Sequence, residues 1–260
     1  MSFVLDNRLK TLVIPDLHLR HETAEKVIAA LKPEQVIFLG DYFDDYGDTV
    51  ALNEAAAEWL KHSVRQPHRY HLWGNHDLHY AFRWRDIRGT GHTPAKSEAI
   101  NKILAGSWSK LDFFATWHPQ KHRPWLISHS GLHADLAPFR LRHNWPSQLK
   151  WLEAEEAKAN HDLRNVGSTW ITRPGYARGG CSAQQYGGLV WGDWHNFDGP
   201  AGIHQMLGHT PLSAPETLDR GNRRLVCLDT WSYCKDGNDP HVAILAADGT
   251  VGLIRVKAIV

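Results

Sequence analysis

The sequence predicts an α/β fold built on a largely parallel sheet, and three observations carry that expectation. Short β-branched and aromatic runs alternate with helix-forming stretches through the first half of the chain. These runs stop abruptly at Pro-Asp, Gly-Asp, Gly-Asn or His-Ser-Gly, as strands do on entering a loop. The last third returns to strand-sized apolar runs separated by turn signals.

In chain order, Thr11 to Ile14 is a strand ending at Pro15-Asp16, and Glu22 to Leu31 reads as a helix. Gln35 to Leu39 is the second strand, stopped by Gly40-Asp41. Asp48 to His62 is the second helix, with Ala51, Leu52, Ala55, Trp59 and Leu60 at helical spacing. Arg69 to Trp73 and Trp125 to Ser128 are the third and fourth strands. The segment from Ala134 to Gly188 breaks the alternation. It holds a helical stretch from Pro146 to Asn160, then a Gly- and Arg-rich stretch, and reads as a helical cap insertion. Ile203 to Leu207, Arg224 to Leu228, and His241 to Ala246 with Thr250 to Val256 complete the strands. Asp248-Gly249 predicts a two-residue hairpin between the last pair.

Composition bounds the function. The 260 residues fit a single domain over 1–260, carrying its insertion at about 134–188. A net charge of +1 offers no strong nucleic-acid signal and no field for an anionic lipid surface. Apolar runs are strand-sized, so no membrane span is expected, and Met1 to Lys10 shows no secretion signal. A cytoplasmic protein is the expectation. The cysteines Cys181, Cys227 and Cys234 are too few and scattered for a disulfide framework or a zinc knuckle. Histidine, by contrast, is abundant at 18 residues, so metal ligation and acid–base chemistry are the functions to look for.

Five strand ends carry metal-ligand residue types. They are Asp16-Leu17-His18, Gly40-Asp41-Tyr42-Phe43-Asp44, Gly74-Asn75-His76-Asp77, His129-Ser130-Gly131 and Gly208-His209-Thr210-Pro211. One such Asp is more often a turn former, and one such His a satisfied surface or core residue. Five in series can converge, because the carboxyl ends of strands in an open α/β sheet line one crevice. Carboxylate and amide oxygens mixed with imidazole suit Mn, Fe, Zn or Ni rather than Ca or Cu(I).

In this order the motifs resemble those of the calcineurin-like metallophosphoesterases. The likeness looks strongest to the branch of Ser/Thr phosphoprotein phosphatases and symmetrical diadenosine tetraphosphatases. His129-Ser130-Gly131-Leu132, Thr210-Pro211 and Leu228-Asp229-Thr230 point there, and the resemblance spans residues 11 to about 231. It implies a metallophosphatase-type β sandwich flanked by helices, α-β-β-α. It also implies two transition-metal ions (Mn, Fe or Zn) and a phosphate-ester substrate attacked by a metal-bridging hydroxide. Asp16, His18 and Asp41 would hold the first ion, and Asp41, Asn75, His129 and His209 the second. His76 would be the general acid, with Asp44 accepting a hydrogen bond from its other nitrogen. For Asp44 and Asp77 the plainer alternative is helix capping.

The chain departs from that pattern in two places. Leu19 stands where the family has glycine after the first block, and Asp45-Tyr46-Gly47 replaces the Arg-Gly that binds phosphate in many phosphoprotein phosphatases. Arg20, Arg83, Arg173 and Arg178 are the candidate replacements. Arg178, followed by two glycines in the cap, is preferred as the substrate phosphate-binding residue. Gly91-His92-Thr93-Pro94 repeats the fifth block letter for letter but follows no strand and precedes His129. His209 is therefore assigned to the metal and His92 to a loop. The tryptophans read as core or cap packing, a minority of them placed to stack a base, and Cys227 as a buried hydrophobe. His133, His195 and His204 match no ligand position. A phosphomonoesterase resembling Ser/Thr phosphatases is the first expectation. A dinucleoside polyphosphate hydrolase or nucleic-acid phosphodiesterase is the alternative, and a non-catalytic scaffold the remote one.

Overall fold

The computed structural model describes residues 3–87, 89–120, 122–180, 184–232 and 240–259. Its first half contains β1 (Phe3–Leu5), β2 (Thr11–Ile14), α1 (His21–Leu31), β3 (Gln35–Phe38), α2 (Val50–Ser63), β4 (Arg69–Leu72), α3 (Asn75–Ala81) and α4 (Pro94–Leu104). Then come β5 (Leu111–Asp112), β6 (Phe114–Trp117), β7 (Trp125–Ser128), α5 (Trp145–Asn165), β8 (His204–Leu207), β9 (Glu216–Arg220), β10 (Arg223–Cys227), β11 (His241–Leu245) and β12 (Val251–Arg255).

These strands form two six-stranded sheets, ordered β12-β11-β2-β3-β4-β5 and β1-β6-β7-β8-β10-β9. Every residue of β2 and β3 is buried, which is why both runs are apolar without a polar alternate after their first residues, Thr11 and Gln35. Val13, Ile37 and Leu72 of the first sheet meet Ala115, Ile127, Met206 and Val226 of the second inside the sandwich. Leu12, Ile14, Val36 and Phe38 point the other way, onto Ala24 and Val27 of α1 and Ala56 and Leu60 of α2. Phe114 and Leu126, one step out of phase with Ala115 and Ile127, join the cluster that holds Trp145, Leu152 and Leu163. The result is the α-β-β-α sandwich that the resemblance implies.

Several sequence expectations need correction. The sheet is not one largely parallel sheet but two mixed ones: β2, β3, β4 and β5 run parallel, while β11 and β12 add antiparallel edges. Strands β1, β5, β6 and β9 are additional. The hairpin between β11 and β12 turns through three residues, because Ala246 and Thr250 still pair across it. Gly249 takes a φ of +92° there, the left-handed residue of a bulged turn. The third block is not all loop, since Asn75 and His76 open α3. Helix α5 runs beyond Asn160 to Asn165, capped at its start by Asn144, whose side chain accepts from the Ser147 N–H. Its Glu156 accepts the Phe113 N–H at 2.9 Å, tying the helix to the sheet edge. Cys227 is buried; Cys181 and Cys234 lie outside the described residues. No helix of the described residues is long and apolar enough to cross a membrane.

One buried histidine gives the fold a pH signature. His71 on β4 stacks on Phe38 with ring centroids 4.6 Å apart, and its nitrogens lie 3.1 Å from the Tyr42 hydroxyl and 3.0 Å from Ser63 Oγ. Burial, aided by the Arg69 charge, holds its pKa down at about 3. A depressed histidine contributes stability above its ordinary range near pH 6.5 and loses it as pH falls towards 3. At pH 4.5 the loss amounts to about 2–3 kcal/mol. Urea unfolding at pH 7 and pH 4.5 should show a smaller acid penalty for His71→Gln than for the parent chain. An equal penalty in both would refute this assignment.

Candidate metal centre

All six residues assigned to metal binding follow strand ends on one side of the sandwich. Strands β2, β3 and β4 run parallel and deliver Asp16 and His18, then Asp41, then Asn75; β7 and β8, parallel in the other sheet, deliver His129 and His209. The loops are stitched together by backbone bonds, such as His18 N–H to the Asp41 carbonyl at 2.7 Å and Gly208 N–H to the His129 carbonyl at 2.7 Å. Asp77 at the third position of α3 serves the frame. Its carboxylate accepts the N–H groups of Gly74, Asp41 and Tyr42 at 2.8–2.9 Å.

Glycine precedes three of the blocks because the loops touch there. A Cβ on Gly74 would lie 2.1 Å from Asp41 Oδ1, and one on Gly208 would lie 2.0 Å from Asp16 Oδ2. Gly40 combines a φ of +105° with contact against the Gly74 backbone. His18, Leu19, Asp41, Asp44 and His209 all take positive φ without being glycine. Such backbone costs about 1–3 kcal/mol per residue and persists where surrounding structure enforces it, typically at functional sites.

The donor atoms turn lone pairs towards one another. His129 Nδ1 donates to the Leu39 carbonyl at 2.9 Å, so its Nε2 carries a lone pair. That lone pair faces Asn75 Oδ1 at 3.0 Å and Asp41 Oδ2 at 3.5 Å. His18 is built likewise: Nδ1 donates to the Asp44 carbonyl at 2.7 Å, and Nε2 faces Asp41 Oδ2 at 3.7 Å. One oxygen of Asp41 thus lies between two histidine lone pairs. Among the described residues, Asp16 Oδ2 and His209 Nε2 are buried without a hydrogen-bond partner. Burial, followed by nearby carboxylates, raises Asp16 and Asp41 well above the ordinary range, while burial pushes His209 well down and His129 to about 3. Crowded carboxylates and neutral imidazoles facing one another are the donor set a transition-metal cation fits. Among the described residues three groups of this kind occur, and two of them share Asp41: Asp16 with His18, and His129 with His209; the third, Asp44 with His76 and His79, is closed by hydrogen bonds.

His76 stands beside them. Its N–H donates to Asp41 Oδ1 at 2.9 Å, and its Nδ1 lies 2.9 Å from Asp44 Oδ2. Asp44 has more partners than the motif revealed: His79 Nε2 at 3.0 Å, the Tyr80 hydroxyl and Lys96 Nζ at 2.8 Å. Burial raises its pKa, but these donors outweigh burial and hold the carboxyl well below the carboxylate range. Asp229, noted in the sequence only as part of a strand-end motif, is buried close enough to raise Asp16.

The four candidate arginines divide. Arg83 lies over Trp84, and Arg173 is held by the Ser168 hydroxyl and carbonyl. Arg20 donates to the His18 carbonyl at 3.0 Å and to Asp45 at 3.2 Å. Thus Asp45, standing where the family has arginine, holds an arginine from the first block. Arg178 donates to Asp193 at 2.9 Å and to Thr210 at 3.2 Å, near enough to His209 to depress it. The repeat at Gly91 to Pro94 follows no strand: Thr93 caps α4 and Pro94 opens it.

The calcineurin-like phosphoesterase family model matches residues 9–213. The chain belongs to that family. As a calcineurin-like phosphoesterase it is a hydrolase acting on phosphate esters, and its Asp/His groups fit the divalent metals that the family typically binds. Among solved structures, a cold-active protein-tyrosine phosphatase from a psychrophilic Shewanella species is 16% identical, with a TM-score of 0.55 over 97% of this chain and 81% of that one. A protein serine/threonine phosphatase from Saccharomyces cerevisiae is 14% identical, with a TM-score of 0.58 over 98% of this chain and 82% of that one. At these identities the likeness is one of fold. No curated protein sequence matches the chain.

Proposed function

We propose that this phosphoesterase hydrolyses phosphate monoesters with two bound transition-metal ions, Mn, Fe or Zn. Asp16, His18 and Asp41 would hold one, and Asp41, Asn75, His129 and His209 the other. The observation that carries this reading is the single Asp41 oxygen set between the His18 and His129 lone pairs. When bound, two such ions supply a water of lowered pKa and neutralise charge on the phosphoryl oxygens. In such a hydrolysis a water oxygen would bond to phosphorus in line as the ester P–O bond breaks. His76, oriented through Nδ1 by Asp44, holds a proton at Nε2 and gives it to the leaving oxygen. Arg20 flanks the first donor group with its guanidinium pre-oriented by Asp45, as a clamp on the reacting phosphate requires.

A second reading, a dinucleoside polyphosphate or other nucleotide substrate, is favoured by one feature. Arg178 shares a cavity of about 250 Å³ with His133, Tyr176, Tyr186, Trp191 and Phe197. Trp191 joins that cavity to the metal donors, its ring centroid 5.6 Å from that of His209. Aromatic walls beside an arginine suit a base and a second phosphate.

Metal content by elemental analysis, with turnover of alkyl and aryl phosphates, phosphopeptides, phosphodiesters and dinucleoside polyphosphates under added Mn, tests both readings. Arg178→Ala should leave metal content unchanged. On a nucleotide substrate its KM should rise about 10–100-fold, the worth of a charge-assisted hydrogen bond. A small aryl phosphate should be affected much less. Equal rises on both would place Arg178 on the reacting phosphate, and no rise on either would remove it from the site.

A further inference from the structure

The acid role of His76 depends on Asp44, and Asp44 is held from behind. Three of its donors, His76, His79 and Tyr80, come from one face of α3 at i, i+3 and i+4 spacing. His79 Nδ1 accepts the Gly89 N–H at 3.1 Å, which leaves its Nε2 proton for Asp44. The fourth donor comes from elsewhere. Lys96 Nζ is buried and lies 2.8 Å from Asp44 Oδ1, 2.7 Å from Asp48 Oδ2 and 2.8 Å from the Gly91 carbonyl, which accounts for all three of its N–H donors.

The Gly-His-Thr-Pro repeat, which follows no strand, builds this arrangement. Gly91 has a φ of +96°, and a Cβ on it would lie 2.7 Å from the Asp44 carboxyl carbon. His92 stacks on Tyr80 with ring centroids 5.5 Å apart. Thr93 Oγ1 accepts the Lys96 N–H at 3.2 Å, and Pro94 fixes the first turn of α4. Asp44 itself takes a φ of +62°, a conformation that needs outside support. Asn53 supplies part of it, accepting the Asp44 N–H at 3.2 Å while donating to Asp48 at 2.7 Å.

We propose that Lys96, delivered by the Gly91–Lys96 turn, is a positioning residue that locks the Asp44 carboxylate in the pose that orients His76 towards the leaving group. The proposal rests on the reading of His76 as general acid. Among these donors only the Lys96 ammonium carries a permanent charge, so its bond to Asp44 is charge-assisted on both sides. It also ties the α3 face to α4. Without it, Asp44 and Asp48 face each other with no cation between them, and Asp44 Oδ1 keeps only the Tyr80 hydroxyl to hold it in the plane that serves His76.

The test uses the metal-loaded enzyme and two substrates, an alkyl phosphate with a poor leaving group and p-nitrophenyl phosphate with a good one. Lys96→Met should lower kcat on the alkyl phosphate about 10–100-fold, part of the range for a positioned acid. On the nitrophenyl ester the loss should be no more than about threefold, with KM and metal content unchanged on both. Lys96→Arg should restore most of the loss, and Lys96→Met should add nothing in a His76→Asn background. Tyr80→Phe, which removes one Asp44 donor without stranding a charge, should show the same leaving-group pattern at smaller size, whether or not Lys96→Met folds. Equal losses on the two substrates, or a loss that persists in the His76→Asn background, would overturn the positioning role. If His76→Asn itself ignores the leaving group, the acid reading fails and the proposal with it. If His76→Asn responds to the leaving group while Lys96→Met and Tyr80→Phe do not, this proposal alone fails.

Discussion

Asp41→Asn is expected to abolish most turnover and to release metal from both donor groups. One Asp41 oxygen lies between the His18 and His129 lone pairs, and the other accepts the His76 N–H. Neither orientation of an amide satisfies both. With its nitrogen on the histidine side, the bridging electron pair is lost; with its nitrogen on the other side, two N–H groups collide. Removing one charge from a buried ionic cluster typically costs about 3–5 kcal/mol, which is roughly 10²–10⁴ in metal affinity. The metal-free protein should respond the other way. Burial and the neighbouring Asp77 raise the Asp41 carboxyl well above its ordinary range, so a neutral amide relieves repulsion there. Metal-free Asp41→Asn should therefore melt at or above the Tm of the metal-free parent, while added Mn stabilises the parent and not the variant. Retention of both metals with near-normal turnover would remove the shared carboxylate from the reading.

How much of this was legible follows from where each signal lives. Strands β2, β3 and β7 could be read because they are buried along their whole length and end in short blocks of ligand types. The polar edge strand β9, Glu-Thr-Leu-Asp-Arg, has almost no buried side chain and is held by its ladder with β10, so no periodicity marks it. Helix α3 was hidden because its first turn is the third block itself, and seven residues are too few for a helical period. The metal donors were legible because each needs a particular residue type at a strand end. The surroundings of Asp44 were not, since Lys96 lies 52 residues away in the chain, on a helix that the sequence reading did not assign. A usable signal was the repeated Gly-His-Thr-Pro itself: a left-handed glycine followed by a Thr-Pro helix start announces a tight turn. The exchange of arginine for Asp45 likewise pointed back to Arg20, a partner visible only once the first two loops are packed together.

His76→Asn separates proton transfer from metal binding. His76 is bound through its backbone N–H to Asp41 and through Nδ1 to Asp44, and its side chain belongs to neither donor group proposed for the ions. Asparagine keeps the first turn of α3 and the N–H that steadies Asp41. It can present an amide to Asp44, but it has no proton to give at the position of Nε2. Metal content and KM should therefore stay close to those of the parent. The rate constant kcat should fall by about 10²–10⁴, the usual worth of a positioned general acid. The fall should depend on the leaving group, because an alkoxide needs a proton as the P–O bond breaks whereas a nitrophenolate leaves without one. A series of aryl and alkyl phosphates of graded leaving-group pKa measures this directly, with the variant giving a steeper dependence of log kcat on leaving-group pKa than the parent. A uniform loss across the series would mean that His76 holds the phosphate in place, and the proton would then have to come from solvent or from another group facing the cleft.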